Sequence, residues 1–209
     1  ERLRAARTNV LHALSHGARQ VVVVTSAGPR EGASTTAAGL ARVLALSGHR
    51  VVLVGGDLRS PSAVGAPGAP GLAEVLVGTA RLSQVLVEGE VPGLELLPAG
   101  DMPGNPSELL GGRNMSDLLH HLAADRIVII DAPPVCRFTD AVVLAEYAGG
   151  VLLVARAGRT SAEELREAAL AVGQGGGHML GVVLTNVSDL GRGSRSAQTA
   201  VTHAESATV

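Results

Sequence analysis

The sequence contains no lysine and no tryptophan, and it has one cysteine, one tyrosine and one phenylalanine. A single cysteine, Cys136, excludes an internal disulfide framework and is typical of a protein in a reducing compartment. No apolar run reaches the roughly 18–20 residues that a membrane-spanning helix needs, and we find no signal-peptide pattern. The first residue is Glu1 rather than methionine, which is typical of a fragment whose flanking segments have been left out.

The overall composition indicates one folded domain. The 209 residues are 46% hydrophobic and 17% charged, which allows a full hydrophobic core and excludes general disorder. The net charge is −2, so the chain does not have the excess of basic residues on which binding to a nucleic-acid backbone depends. We therefore expect no nucleic acid among the partners of this protein.

The stretch from Val21 to Thr36 has the pattern of a phosphate-binding loop. Four valines predict a buried strand, a glycine-containing loop follows, and the segment from Ala37 to Leu46 predicts a helix. In such a strand–loop–helix unit, backbone N–H groups and the positive end of the helix dipole face an anion. The residues of the predicted loop are Gly28, Pro29, Arg30, Glu31, Gly32, Ala33, Ser34 and Thr35.

One position of this loop departs from the phosphate-binding motif. The motif has a lysine directly after the second glycine, where it reaches the β- and γ-phosphates, but this chain has Ala33. All 17 basic residues are arginine, so compositional drift would exchange the lysine for arginine and keep the charge. Alanine removes the charge, and we therefore expect weakened binding of a polyphosphate.

Two aspartates follow apolar strands, one after two glycines and the other immediately. Asp57 comes after the predicted strand at 51–54, and Asp131 comes after the predicted strand at 127–130. The carboxyl ends of parallel strands are where ligands and Mg²⁺ collect in open α/β sheets, and an acid there holds the metal or orients the attacking group. Together with the Ser34 hydroxyl, these two carboxylates form the predicted magnesium and catalytic site.

The remaining pattern predicts a doubly wound α/β domain with a mostly parallel sheet flanked by helices. Apolar strands alternate with helices about six times, and the strands are hydrophobic on both faces. Further strands are predicted at 94–97, 151–155 and 180–184, and helices at 1–16, 72–77, 82–87, 115–123 and 162–172. Three local signals are predicted to bound helices: Gly17 ends the first, and Ser107 and Asp140 cap later ones. The folded domain is predicted at 1–188 and a disordered tail at 189–209.

In these motifs, the chain resembles the cytoplasmic domain of the bacterial tyrosine kinases, the BY-kinases. The resemblance covers nearly all of the predicted domain. The segment from Val51 to Pro61 resembles the second Walker motif of that family, and Ile129 to Pro134 resembles its Walker B motif. The segment from Asn105 to Leu110 is similar to a further family stretch, and Asn186 follows a strand that in the family ends near the adenine.

The resemblance implies a role at the cytoplasmic face of the bacterial plasma membrane. Family members regulate capsule and exopolysaccharide polymerisation and export together with a transmembrane chain-length determinant, on the same or a separate chain. Their cofactors are ATP or ADP with Mg²⁺, which would make Arg59 and Asn186 nucleotide-binding residues. Glu1, Arg4 and Arg7 match the helix through which members form ring-like homo-oligomers, whereas such charges by themselves more often form a solvated helix face.

Several departures from the family pattern concern the chemistry. Besides Ala33, Gly55 replaces the first acid of the second Walker motif, which in the family helps to deprotonate the acceptor tyrosine. Arg30 replaces a loop glycine, the C-terminal tail has no tyrosine, and the single Tyr147 is predicted to be packed. These separate departures favour a naturally degenerate site over one designed substitution.

Three functional hypotheses follow from the motifs and the departures. The first is a degenerate pseudokinase with weak or no nucleotide binding, which acts as a docking module. The second is an active ATP-dependent protein tyrosine kinase that uses Ser34, Asp57 and Asp131, with Arg30 folded over the phosphates. The third is a partition-type ATPase switch, whose signature lysine would fall at Gly28.

Overall fold

The computed structural model describes residues 2–16, 19–60, 64–66 and 68–187, and along them helices alternate with strands. In chain order the elements are α1 (Arg2–His16), β1 (Val21–Ser26), α2 (Ala33–Ala45), β2 (Val51–Gly55), α3 (Leu72–Val77), α4 (Leu82–Val85), β3 (Val87–Glu88), β4 (Leu94–Leu97), α5 (Pro106–Leu110), α6 (Arg113–Ala123), β5 (Ile127–Asp131), α7 (Asp140–Ala145), β6 (Gly150–Arg156), α8 (Ala162–Gln174) and β7 (Met179–Thr185). Within the described ranges, no helix is both long and apolar enough to span a bilayer.

The strands form one sheet in the order β3-β4-β2-β5-β1-β6-β7, and only β3 runs antiparallel to its neighbour. The predicted doubly wound, mostly parallel α/β fold is therefore confirmed. Strand β1 lies near the middle of the sheet, with Val24 opposite Asp131 of β5 on one side and opposite Leu152 of β6 on the other. This order brings the ends of β5, β1 and β6 together at one edge of the sheet.

Alternate residues of the strands face two separate hydrophobic cores. In β1, Val21 and Val23 pack on the side covered by α3, α6, α7 and α8, whereas Val22 and Val24 pack on the side covered by α1 and α2. All six residues of β1 are buried. A strand with helices on both faces needs apolar residues at every position, which is why the run of four valines predicts it.

One predicted element differs from the structure. The segment at 82–87 was expected to be one short helix, but α4 ends at Val85 and β3 pairs antiparallel with β4, with Val87 opposite Leu96. This pairing at the edge of the sheet is a tertiary contact that overrides the helical spacing of the leucines and valines. The helix α2 also begins at Ala33 rather than at Ala37, because the loop turns directly into its first turn.

The two predicted helix caps are wrong in detail. The N-cap of α5 is Asn105 and Pro106 takes the first helical position, while the N-cap of α7 is Thr139. The Ser107 hydroxyl instead donates a hydrogen bond to the Asp140 carboxylate. This contact joins two helices that are distant in sequence, so a rule based on local capping cannot predict it. The predicted helix end at Gly17 and the predicted tail at 189–209 lie outside the described residues.

Gly56 marks a close approach of β2 to β5, since its N–H donates to the Asp131 carbonyl at 2.8 Å. A Cβ at Gly56 would lie 2.6 Å from Ile130 Cγ2 and 3.0 Å from that carbonyl oxygen. We expect Gly56→Ala to lower the free energy of unfolding by about 1–3 kcal/mol because the added methyl group overpacks the core. Urea denaturation at neutral pH measures this change.

The matched control is Gly173→Ala in α8, where an added Cβ meets no heavy atom within 4 Å. Alanine should raise the free energy of unfolding there by about 0.5–1 kcal/mol, because it loses less backbone entropy in a helix than glycine. Equal stabilities of the two variants would contradict the close packing at the end of β2.

Candidate functional site

The loop between β1 and α2 lies at the carboxyl end of the central strand. Two of its residues have left-handed backbone conformations: Arg30 has φ 61° and Gly32 has φ 100°. Gly32 is the N-cap of α2 and adopts this conformation without strain. At Arg30 the same region costs about 1–2 kcal/mol, since the side chain crowds the backbone. The loop therefore keeps a strained turn at a position where the sequence lacks glycine.

Four carbonyl groups of the loop accept hydrogen bonds. Three of the donors are side chains at the ends of β1, β6 and β7. The fourth is the backbone N–H of Thr36, in the first turn of α2. The pairs are Ser26 Oγ with the Gly28 carbonyl (2.8 Å), Arg156 Nη1 with that of Arg30 (3.3 Å), Thr185 Oγ1 with that of Glu31 (2.6 Å) and the Thr36 N–H with that of Gly32 (2.9 Å). These bonds fix the orientation of the four peptide planes.

The N–H groups of the same loop are left available. From Arg30 to Thr35, none of them donates to a backbone acceptor elsewhere in the described part of the chain. Successive free N–H groups at the start of a helix form a concave donor array for an anion, and the α2 dipole adds positive potential there. The phosphate-binding geometry predicted from the spacing is thus present even though Ala33 supplies no charge.

The three predicted polar groups of the magnesium site come together beside this loop. Ser34, in the first turn of α2, lies close to Asp131 at the end of β5, and its hydroxyl lowers the pKa of that carboxyl. Asp57 follows β2 and accepts the N–H of Arg59 at 3.0 Å on its Oδ1 atom. The Asp57 carboxylate is close enough to Asp131 for its negative charge to raise the pKa of the Asp131 carboxyl. A hydroxyl and two carboxylates are the oxygen ligands that Mg²⁺ prefers.

Burial controls the ionisation of these acids. Asp131 is only 2% exposed, and this burial, with a smaller contribution from the Asp57 charge, raises the pKa of its carboxyl to about 6 despite the opposing effect of the Ser34 hydroxyl. Burial also raises the pKa of Asp57, against the opposing hydrogen bonds from the backbone of Arg59 and Ser60. No cationic side chain in the described ranges lowers the pKa of Asp131. Arg59 lowers the pKa of Asp57 to a smaller extent, so the cationic influence in this site falls on Asp57 rather than on Asp131.

Arg59, predicted to bind the cofactor, is engaged with Asp140. Its Nε donates to Oδ2 at 2.6 Å and its Nη2 to Oδ1 at 3.1 Å, and its guanidinium lies 4.7 Å from the centre of the Phe138 ring. Asp140 is fully buried, and the hydroxyl of Ser107 also donates to it. Arg59 therefore ties the turn after β2 to the start of α7, and a contact with nucleotide stays a prediction.

A cavity of about 360 Å³ opens beside the loop, on the side of β6 and β7. Asn186, predicted to lie near an adenine, lines it with φ 54°, next to Leu184, whose side chain is 53% exposed. Arg30 and Arg156 line it as well. Neither Arg156 nor the loop contacts of Thr185 were predicted, because these residues are more than 120 positions from the loop and match no local motif.

Glu31 points away from solvent. Its side chain is 4% exposed, and its Oε2 atom is buried without a hydrogen-bond partner among the described residues. The Oε1 atom lies 3.2 Å from the position that a Cβ on Gly28 would take, so the carboxylate packs under the loop. Although it was predicted among the cofactor-binding residues, Glu31 contributes its backbone to the loop while its side chain faces inward.

The predicted oligomerisation residues are described only in part. Glu1 and the side chain of Arg4 lie outside the description. Arg7 is described, and its Nη1 atom donates to Ser47 Oγ at 2.7 Å, next to the end of α2. Its Nε atom is buried and has no hydrogen-bond partner among the described residues. Tyr147 packs against the core, as predicted.

These observations fit a nucleotide phosphate with Mg²⁺ in part. The free amides of the loop suit phosphate oxygens, and Ser34, Asp57 and Asp131 would hold the metal. When bound, the metal would supply positive charge against the phosphates. The lysine of the loop motif is replaced by Ala33, and the first acid of the second Walker motif is replaced by Gly55.

The raised pKa of Asp131 makes stability depend on pH. The pKa rises from its ordinary value of 3.8 to about 6 in the folded chain. As the pH falls, the Asp131 carboxyl therefore takes up a proton at a higher pH in the folded state than in the unfolded state. We expect the free energy of unfolding to increase by up to about 3 kcal/mol between pH 7 and pH 4. The gain should be absent in Asp131→Asn, measured by urea denaturation across this range. Parallel pH profiles of wild type and variant would contradict the assignment.

The ion pair of Arg59 with buried Asp140 should contribute far more to stability than a surface pair. Arg59→Met leaves a buried carboxylate without its cation, and we expect a loss of about 3–5 kcal/mol. The control, Arg113→Met, removes a pair with Asp117 whose side chains are 92% and 70% exposed, and should cost less than about 1 kcal/mol. Urea denaturation at pH 7 measures both changes. Similar losses of stability in the two variants would show that Arg59 does not stabilise the buried Asp140 carboxylate.

Comparison with known proteins places the chain among bacterial tyrosine kinases. No family model matches it. It is 36% identical over 188 residues to the tyrosine-protein kinase YwqD of Bacillus subtilis, covering 88% of this chain and 79% of YwqD. It is 39% identical over 171 residues to the putative tyrosine-protein kinase EpsB of Ralstonia nicotianae, covering 80% of this chain. It spans only 23% of the length of EpsB.

Solved structures give the same assignment. The kinase domain of the Escherichia coli tyrosine kinase ETK has a TM-score of 0.85 and 30% identity, covering 93% of this chain and 78% of that domain. The septum site-determining protein MinD of Pyrococcus horikoshii, solved with Mg-ADP, has a TM-score of 0.62 and 20% identity over 78% of this chain and 68% of MinD, which shows a shared fold alone. With YwqD covered over 79% of its length at 36% identity, this chain belongs to the bacterial tyrosine kinase family.

Proposed function

We propose that this chain is a BY-kinase domain that has lost phosphoryl transfer and acts as a regulatory pseudokinase. It would work at the cytoplasmic face of the bacterial plasma membrane, in the polymerisation and export of capsule or exopolysaccharide. Its partners would be further copies of itself in a ring and a transmembrane chain-length determinant, on the same or a separate chain. The relatives named tyrosine-protein kinase support the family context of this proposal.

One observation carries the proposed loss of activity: the phosphate-binding loop has no cationic side chain at the position of the motif lysine. Ala33 stands where the motif has lysine, and Asp131 lies beside Ser34 and Asp57 with no described arginine acting on it. Phosphoryl transfer depends almost wholly on positive charge that stabilises the charge of the transferring group. Without the lysine, the charge that develops on the transferring group lacks the cationic side chain that the motif provides.

The expected loss of nucleotide binding and the expected loss of phosphoryl transfer differ in size. A charge-assisted hydrogen bond to phosphate contributes roughly 1.5–3 kcal/mol, so removing the lysine weakens binding of a nucleotide about 10- to 100-fold. The free amides from Arg30 to Thr35 remain to bind phosphate weakly. Transfer to a tyrosine also lacks the acid that Gly55 replaces. We therefore expect phosphoryl transfer to be lost while weak binding of nucleotide remains.

Two alternatives remain as proposals. An active tyrosine kinase with an atypical loop is favoured by the Ser34–Asp131 contact, which would position Mg²⁺ as a working site requires. A partition-type ATPase switch shares the fold, but Gly28 stands where its signature lysine falls. Nucleotide-dependent dimers, rather than rings, would distinguish that switch.

The proposed oligomer rests on the first helix. Glu1, Arg4 and Arg7 keep the charge spacing that the family uses between subunits. Arg7 bonds Ser47 of its own chain, which holds its guanidinium at the junction of α1 and α2.

Phosphate transfer separates the pseudokinase from the active kinase. We expect the wild type to transfer labelled phosphate from Mg-ATP to an acidic tyrosine-containing polymer no faster than Asp131→Asn does. The double variant Ala33→Lys with Gly55→Asp restores the cation and the acid and should exceed both by at least about tenfold. It also serves as the control that the polymer is a usable substrate. Wild-type transfer that Asp131→Asn abolishes would overturn the pseudokinase proposal.

A further inference from the structure

The residues that line the cavity beside the phosphate-binding loop include two arginines and one acid, Glu31, which is only 4% exposed. Arg30 and Arg156 both line the cavity, and neither forms an ion pair with a described carboxylate. The pairing of Arg59 with Asp140 shows the contrast, because that guanidinium is already neutralised. Two unneutralised guanidinium groups beside free backbone amides create a local excess of positive potential.

The two arginines are held next to each other by the backbone. The Nη1 atom of Arg156 donates to the carbonyl of Arg30 at 3.3 Å, and the N–H of Arg156 donates to Thr160 Oγ1 at 2.8 Å. Arg30 keeps φ 61° in the loop itself and is exposed. One cation therefore belongs to the loop and the other to the end of β6, and both line the same cavity.

Two other residues that line the cavity have a different chemistry. Leu184 presents a side chain that is 53% exposed, and Asn186 adds an amide that can both donate and accept hydrogen bonds. An apolar surface with an amide suits a nucleobase, while guanidinium groups suit phosphate oxygens. A volume of about 360 Å³ falls within the range of small-molecule sites.

We propose that Arg30 and Arg156 replace the missing loop lysine in binding, and that the cavity holds a nucleoside polyphosphate. This inference deepens the proposed function, because it rests on the same site and names the residues that keep nucleotide binding after transfer is lost. Both arginines line the cavity beside β6 and β7, whereas Asp57 and Asp131 follow β2 and β5 on the other side of β1 in the sheet. The positive charge is thereby available for binding and is not placed at the acids where transfer would occur.

The test measures binding of Mg-ADP by isothermal titration calorimetry. Arg30→Gln and Arg156→Gln remove one charge each while keeping a donor, so the Arg156→Gln variant can still bond the Arg30 carbonyl. We expect each change to weaken Mg-ADP about tenfold and the double variant about 100-fold, as for lost charge-assisted contacts. Arg30→Lys, which keeps the charge, should bind within a few-fold of wild type.

The matched control is Arg42→Gln, which removes the same charge from the last turn of α2. Arg42 lies nine residues along the helix from Ala33, roughly 14 Å from the loop at the helical rise. The affinity of this control for Mg-ADP should equal that of wild type. Melting curves without nucleotide verify folding, and the exposed Arg30 provides a variant that keeps the fold if Arg156→Gln does not.

The outcomes separate this inference from the pseudokinase proposal. No binding of Mg-ADP by the wild type at millimolar concentration overturns the inference and leaves the pseudokinase in place. Equal affinities of Arg30→Gln and Arg42→Gln also overturn it, as does Mg-pyrophosphate binding as tightly as Mg-ADP. Arginine-dependent binding together with phosphate transfer that Asp131→Asn abolishes supports the inference and refutes the pseudokinase.

Discussion

The orientation of the peptide groups between β1 and α2 is the constraint on which the rest of the site depends. Four carbonyl groups accept hydrogen bonds from groups outside the tip of the loop; they belong to Gly28, Arg30, Glu31 and Gly32. With these carbonyls engaged, the N–H groups face the opposite way and stay available. The donors at Arg156 and Thr185 come from β6 and β7, the two strands that follow β1 in the sheet, so the order of the sheet itself sets the loop geometry.

This arrangement explains why the loop survives without its lysine. The free amides belong to the backbone, and the contacts that orient them involve side chains of β6 and β7 rather than residue 33. Replacing the lysine by Ala33 removes charge without removing any of these bonds. Binding geometry and electrostatic stabilisation are therefore separable in this fold, and a chain can keep the first while losing the second.

The sequence predicts the parts of the molecule that depend on local pattern. Runs of valine and isoleucine predict the buried strands, and the positions of Asp57 and Asp131 after two of them predict that these acids meet at one sheet edge. The strand β3 was missed because it is two residues long and exists through pairing with β4. The caps at Ser107 and Asp140 were wrong because these side chains bond each other across 33 positions.

The contacts that decide the electrostatics of the site are the least predictable. Motif spacing assigns Arg59 to the cofactor, yet its guanidinium pairs with Asp140, 81 positions away. Motif reading likewise passes over Arg156, whose place beside Arg30 results from the adjacency of β1 and β6. A single sequence shows which charges a chain has, but the fold determines which of them are already neutralised.

The balance of charge then indicates what the site can do. Among the described residues, Asp57 and Asp131 lie near each other with no cation acting on Asp131, while Arg30 and Arg156 line the cavity without a paired carboxylate. In a working site the positive charge would act on the group being transferred, next to the acids. Here the acids follow β2 and β5, whereas the two arginines line the cavity at β6 and β7, on the other side of β1, which is the arrangement expected under the proposed loss of phosphoryl transfer.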